Sequence, residues 1–65
     1  MSEGEKARVA ELMASARTYF VPATEQWLAE IPAFSFTLWA LAERESVAKI
    51  QLAGRVARWL RRGTH

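Results

Sequence analysis

The stretch Phe20-Val21-Pro22-Ala23-Thr24-Glu25-Gln26-Trp27-Leu28-Ala29-Glu30-Ile31-Pro32 decides the fold, because a helix either runs through its first proline or stops there. Pro22 removes a backbone donor and clashes with the preceding turn, so it kinks a helix or opens a new one. Phe20, Ala23, Trp27 and Ile31 nonetheless keep three- and four-residue spacing across it. That recurrence marks one buried helical face. The spacing predicts a continuous helical arm with a kink or short break near Pro22.

Toward the N-terminus the same stripe continues through Met13, Leu12 and Val9, with Glu5, Arg8, Glu11 and Thr18 on the other side. Ser2-Glu3-Gly4-Glu5 has the form of a capping box, in which the serine hydroxyl and the glutamate satisfy each other's amides. Arm one is therefore expected over residues 3–31. Toward the C-terminus, Ile31 precedes a proline and is pushed out of helical geometry, while Pro32 suits a first helical position. Ser35 offers an alternative cap. From about residue 33 the pattern is helical to Arg62, with Gly63 as a terminator. Glu43-Arg44-Glu45-Ser46 interrupts it as a bend or a solvated stretch.

Composition points the same way. The chain has no Asp and no Asn, only three Gly and two Pro, and twelve Ala. Asp, Asn, Gly and Pro carry most tight turns, so hairpins have little to turn on. The expected fold is all-α: one domain over residues 1–65, a long helical hairpin whose arms of about 45 Å meet at a turn near residues 31–34. A chain of this size buries only about 60% of its unfolded surface. Without Cys it has no disulfide to compensate. Pairing of two hairpins as a four-helix-type bundle is the expected remedy, so a homo-oligomer is predicted. The longest weakly polar run has about twelve residues against the twenty or so of a spanning helix. No signal-peptide pattern opens the chain. A cytoplasmic protein is expected.

Catalytic residues are not expected. The only His is the terminal His65, and Ser15, Ser35 and Ser46 have no base beside them. Glu43 and Glu45 lie two apart, which on a helix turns them away from each other. No phosphate loop, dinucleotide fingerprint, metal-ligand cluster or cofactor motif is present.

Charge carries the strongest functional signal. Residues 46–65 hold Lys49, Arg55, Arg58, Arg61 and Arg62 and no acid, a local net of +5. Residues 1–31 set Glu3, Glu5, Glu11, Glu25 and Glu30 against Lys6, Arg8 and Arg17, a net of −2. At the helical repeat Gln51, Arg55, Arg58 and Arg62 share an arc of about 60°, with Arg61 at its margin. Leu52, Ala53, Val56, Trp59 and Leu60 lie opposite. Such a basic amphipathic helix suits nucleic-acid backbones, anionic membranes or acidic protein surfaces. It equally suits its own helix dipole and the acidic start of arm one, which an antiparallel hairpin places alongside.

Phe34, Phe36, Leu38, Trp39 and Leu41 surround the second arm on nearly every side, which predicts an interface with a second chain or another protein. The other reading of that segment is a monomeric core that folds back. Leu28-Ala29-Glu30 followed by Ala33 to Leu38 resembles a DNA-binding helix-turn-helix, but the spacing is one residue short. Its reading positions would be Phe36, Thr37, Trp39 and Ala40, where base readout needs Arg, Lys, Asn or Gln. Glu45 and Lys49, four apart in the middle of the apolar arc, are candidates for a partly buried pair that sets register. The function expected from all this is a non-enzymatic adaptor, inhibitor or regulatory subunit acting by self-association and protein binding. The alternatives are a nucleic-acid-binding regulator that contacts phosphates through the basic helix, or a protein of the membrane surface.

Overall fold

The structure, a computed structural model, describes residues 3–63. It is α+β, with helix α1 (Glu3–Met13), strands β1 (Arg17–Val21), β2 (Gln26–Glu30) and β3 (Trp39–Ala42), and helix α2 (Glu45–Gly63). A short 3-10 turn, Pro32–Phe34, lies between β2 and β3. The strands form one antiparallel meander in the order β1-β2-β3. This overturns the all-α helical hairpin and, with it, the four-helix-type bundle built from two such hairpins. Arm one ends at Met13 rather than 31, and helix α2 begins at Glu45 rather than near 33. Ser2 of the expected capping box and His65 fall outside the described residues.

Residues 17–31 satisfy two periods at once. Arg17-Thr18-Tyr19-Phe20-Val21 is rich in the β-branched and aromatic side chains that fit a pleated surface. Trp27, Ala29 and Ile31 alternate with Gln26, Leu28 and Glu30, so the spacing that suggested a helix also describes a strand. Pro22 makes the turn: its fixed φ suits the second position of the β-turn closed by Thr24 N–H donating to the Val21 carbonyl at 3.3 Å. Glu25 then takes φ 55, a left-handed conformation unusual for a residue with a side chain. One proline and one strained glutamate thus replace the Asn-Gly or Asp-Gly whose absence argued against hairpins.

The start of the chain and the second connection need no tight hairpin turn either. Helix α1 unwinds through Ala14 and Ser15, where the Ser15 hydroxyl donates to the Leu12 carbonyl at 2.9 Å and competes for a helical acceptor. Between β2 and β3, Ile31 is extended (φ −97, ψ 111) ahead of Pro32, as pre-proline sterics require. Phe34 N–H donates to the Ile31 carbonyl at 2.8 Å, and Ile31 N–H closes the connection on the Leu38 carbonyl at 3.0 Å.

Register then sorts the side chains. Thr18, Ala29 and Ala40 stand in one row across the sheet, and Phe20, Trp27 and Ala42 in the next. With Ile31 and Leu38 they make the inner face, on which Ala29, Ala40 and Ala42 are buried beneath Ala48, Leu52 and Val56 of α2. Small residues at Ala29, Ala40 and Ala42 let the helix axis come close, and Leu52 and Val56 of the helix fill the space above them. Val9, Leu12 and Met13 of α1 pack against the same core. The outer face carries Tyr19, Leu28 and Leu41 in a second row.

Candidate functional site

Helix α2 spans about 28 Å at 1.5 Å per residue, which is longer than the strands it crosses. Its C-terminal half meets the connection that leads into β3. There Thr37, Leu38, Arg55, Arg58, Trp59 and Arg62 line one open depression. Arg55, Arg58 and Arg62 follow at three- and four-residue steps, so their guanidiniums share a helix face.

Aromatic rings frame this basic face. The Phe34 ring lies 5.0 Å from that of Trp59 at 50°, fixing the 3-10 turn against α2. The Arg55 guanidinium carbon stands 5.4 Å from the centroid of Trp39, a cation–π contact that holds the arginine in place. Phe36, one residue before Thr37, is 98% exposed.

The strip of cations read from the sequence divides in two. The Arg61 Nε–H donates to Glu5 Oε1 at 2.9 Å, joining the end of α2 to the start of α1. The complement between the acidic N-terminal segment and the basic C-terminal segment is therefore seen at this pair. Arg17 pairs with Glu30 across β1 and β2 at 3.8 Å, and Arg8 with Glu11 along α1 at 3.9 Å. Among the described residues, no carboxylate stands within ion-pair distance of Arg55, Arg58 or Arg62. Gln51 is exposed one helical turn before Arg55.

The expected apolar interface is likewise dispersed. Phe34, Phe36, Leu38, Trp39 and Leu41 do not ring a helix, because the segment is a turn and a strand. Leu38 is in the core, Phe34 and Trp39 flank the basic face, Phe36 points into solvent, and Leu41 joins the outer face of the sheet. Glu45 and Lys49 are both exposed, so neither is a buried register device. Glu45 instead opens α2, where a carboxylate favours the helix dipole, and accepts a hydrogen bond from the Thr18 hydroxyl. Sequence spacing missed Thr37 and Trp59 as partners of the arginines. Trp59 falls on the apolar arc of the helical repeat, and the spacing around Thr37 fits a helix although it lies in the connection before β3.

Among the described residues no three His, Cys, Asp or Glu side chains gather where a metal could be held. No described helix is long and apolar enough to cross a membrane. Comparison with protein-family models, with curated proteins and with solved structures finds nothing that matches this chain.

Proposed function

We propose that this is a non-enzymatic interaction protein that acts by binding alone, and that the face of α2 bearing Arg55, Arg58 and Arg62 takes a polyanion. The observation that carries the reading is the contrast with Arg61. Arg61 is held by Glu5, whereas the other three arginines converge on one depression with no acid partner among the described residues. Like charges set three and four apart on a helix repel by a few tenths of a kcal/mol per pair. An external anion relieves that repulsion, and the arginine fork matches phosphate oxygens well. A regulator or adaptor that works on phosphate-bearing polymers fits this surface.

The two kinds of arginine supply the test. Retention on immobilised polyphosphate at 50 mM salt is expected to fall for Arg58→Gln and Arg62→Gln and to change little for Arg61→Gln. Equal losses for all three would reduce the effect to net charge, and no retention of the unaltered protein would remove the reading.

Self-association and protein binding have separate support in the outer face of the sheet. Tyr19, Leu28 and Leu41 make an apolar row, and Tyr19 remains 45% exposed. A second copy laid on this row would shelter it. Sedimentation equilibrium at micromolar concentration is expected to give a mass above the 7.4 kDa of one chain. A mass of one chain throughout would end this second reading.

A further inference from the structure

We infer that the polyanion is single-stranded nucleic acid, its phosphates lying along Arg55, Arg58 and Arg62 and a base stacking on Phe36. The inference rests on the polyanion reading above and narrows it to one class of ligand.

The argument begins with what the site spends on aromatic surface. Phe36 is 98% exposed and therefore contributes almost nothing to the core. It stands between Phe34, which is anchored on Trp59, and Thr37, which lines the depression. The backbone carrying it is also fixed, since Thr37 N–H donates to the Phe34 carbonyl at 2.9 Å and Leu38 N–H to the same carbonyl at 2.7 Å. The ring is thus presented to solvent by a braced turn, one residue before the Thr37 that lines the basic depression. Cationic side chains along a backbone track, with aromatic rings beside them, are the means by which proteins hold single strands without reading sequence. The Thr37 hydroxyl adds a neutral donor for a phosphate or sugar oxygen.

Other polyanions use only part of this arrangement. A duplex keeps its bases stacked and offers Phe36 no free face, so the ring would add nothing to its binding. An anionic bilayer would find only Val47 and Ile50 as exposed large apolar side chains on α2, since Leu52 and Val56 of its apolar face are wholly buried against the sheet. An acidic peptide would pair with the arginines but has no need of a solvent-facing ring. An unpaired strand engages both the guanidiniums and the flat face of Phe36. The inference covers single-stranded RNA and DNA alike, because phosphate and base face are common to both.

The test is fluorescence anisotropy with labelled twelve-nucleotide strands of uridine and of thymidine, a twelve-base-pair duplex, polyglutamate, and vesicles containing phosphatidylserine. The full chain is used throughout. Single strands are expected to bind at 50 mM salt, with a slope of log K against log salt of about −2 for three phosphate contacts. Phe36→Ala is expected to weaken single-strand binding about tenfold, the loss of one stacked base, and to leave duplex binding unchanged. Because Phe36 lies outside the core, its circular dichroism and melting should match those of the parent, which separates a binding loss from unfolding. Arg58→Gln should weaken every anion together. If single strand and duplex bind equally and Phe36→Ala affects neither, the single-strand inference is overturned while the polyanion reading stands. Binding of vesicles or polyglutamate alone overturns it in favour of that ligand, and binding of no anion at all removes both.

Discussion

The two faces of the sheet differ in what covers them. On the inner face Ala29, Ala40 and Ala42 are buried, and the bulk that fills the layer comes from Ile31 and Leu38 beside the strands and from Leu52 and Val56 of α2. On the outer face Tyr19, Leu28 and Leu41 supply bulk of their own, with no described helix packed over them. A chain with one long helix can cover one face, and the buried alanines mark where that helix sits closest. The large residues on the other side stabilise the strands through cross-strand contact and remain open to a partner.

The largest test of this asymmetry adds volume where the helix sits closest. Ala40→Leu is expected to cost about 1–3 kcal/mol, because the added atoms force α2 and β3 apart. Leu41→Ala, one residue along and on the opposite face, should cost less than the 2–5 kcal/mol of a fully buried truncation. Urea titrations of both variants measure the difference. A Leu41→Ala cost that equals that of Ala40→Leu and grows with protein concentration would mean that a second copy covers the outer row. Equal costs at every concentration would break the comparison.

A smaller effect concerns the hairpin that assigns residues to faces. A slip of one residue between β1 and β2 would exchange the inner and outer rows. The register depends on the turn at Pro22 to Glu25, where Glu25 holds φ 55 at a cost of about 1–2 kcal/mol for a residue with a Cβ. Glu25→Gly relieves that strain but adds backbone freedom to the unfolded chain, so a net gain of about 0.5–1 kcal/mol is expected. Thermal melts decide it, and a loss of stability would show that the Glu25 side chain contributes more to the turn than its strained backbone costs.

The smallest effect lies on the outer face itself. The Tyr19 phenol is held above its ordinary value of 10.0, first by partial desolvation on the sheet, then by the charge of Glu30 and a hydrogen bond to its carboxylate, with Arg17 opposing. Folding therefore favours the neutral phenol. Its contribution is fully present below the unfolded value near 10 and is lost as pH rises through the higher folded value. Tyr19→Phe should flatten that part of the stability curve. The slope will be shallow, because solvent reaches nearly half of the side chain. A curve identical to that of the parent would remove Tyr19 as its source.

The candidate site was half legible before the structure. Arg55, Arg58 and Arg62 recur at helical steps, and residues 45–62 lie in a segment whose apolar and basic positions separate on one helix. Their division from Arg61 was not legible, because it depends on where Glu5 of another helix comes to rest. Nor was the joining of Thr37 and Trp59, which are twenty-two residues apart in sequence and meet only because the 3-10 turn folds under α2.

By itself the sequence determined helical preference at both ends of the chain and the concentration of cations, with no acid among them, over residues 46–65. Both are local properties, set by side-chain spacing and composition within a few turns. Tertiary structure alone decided that residues 17–21, 26–30 and 39–42 form strands. Over so short a stretch an apolar pattern fits a helix and a strand alike, and turn preferences only bias the choice. The choice falls to pairing: β2 finds hydrogen-bonding partners on both sides, from β1 and from β3. Its inner face, centred on Ala29, is then buried by a helix that lies later in the chain. No window of sequence contains those contacts at once, and their combined burial outweighs local helical propensity.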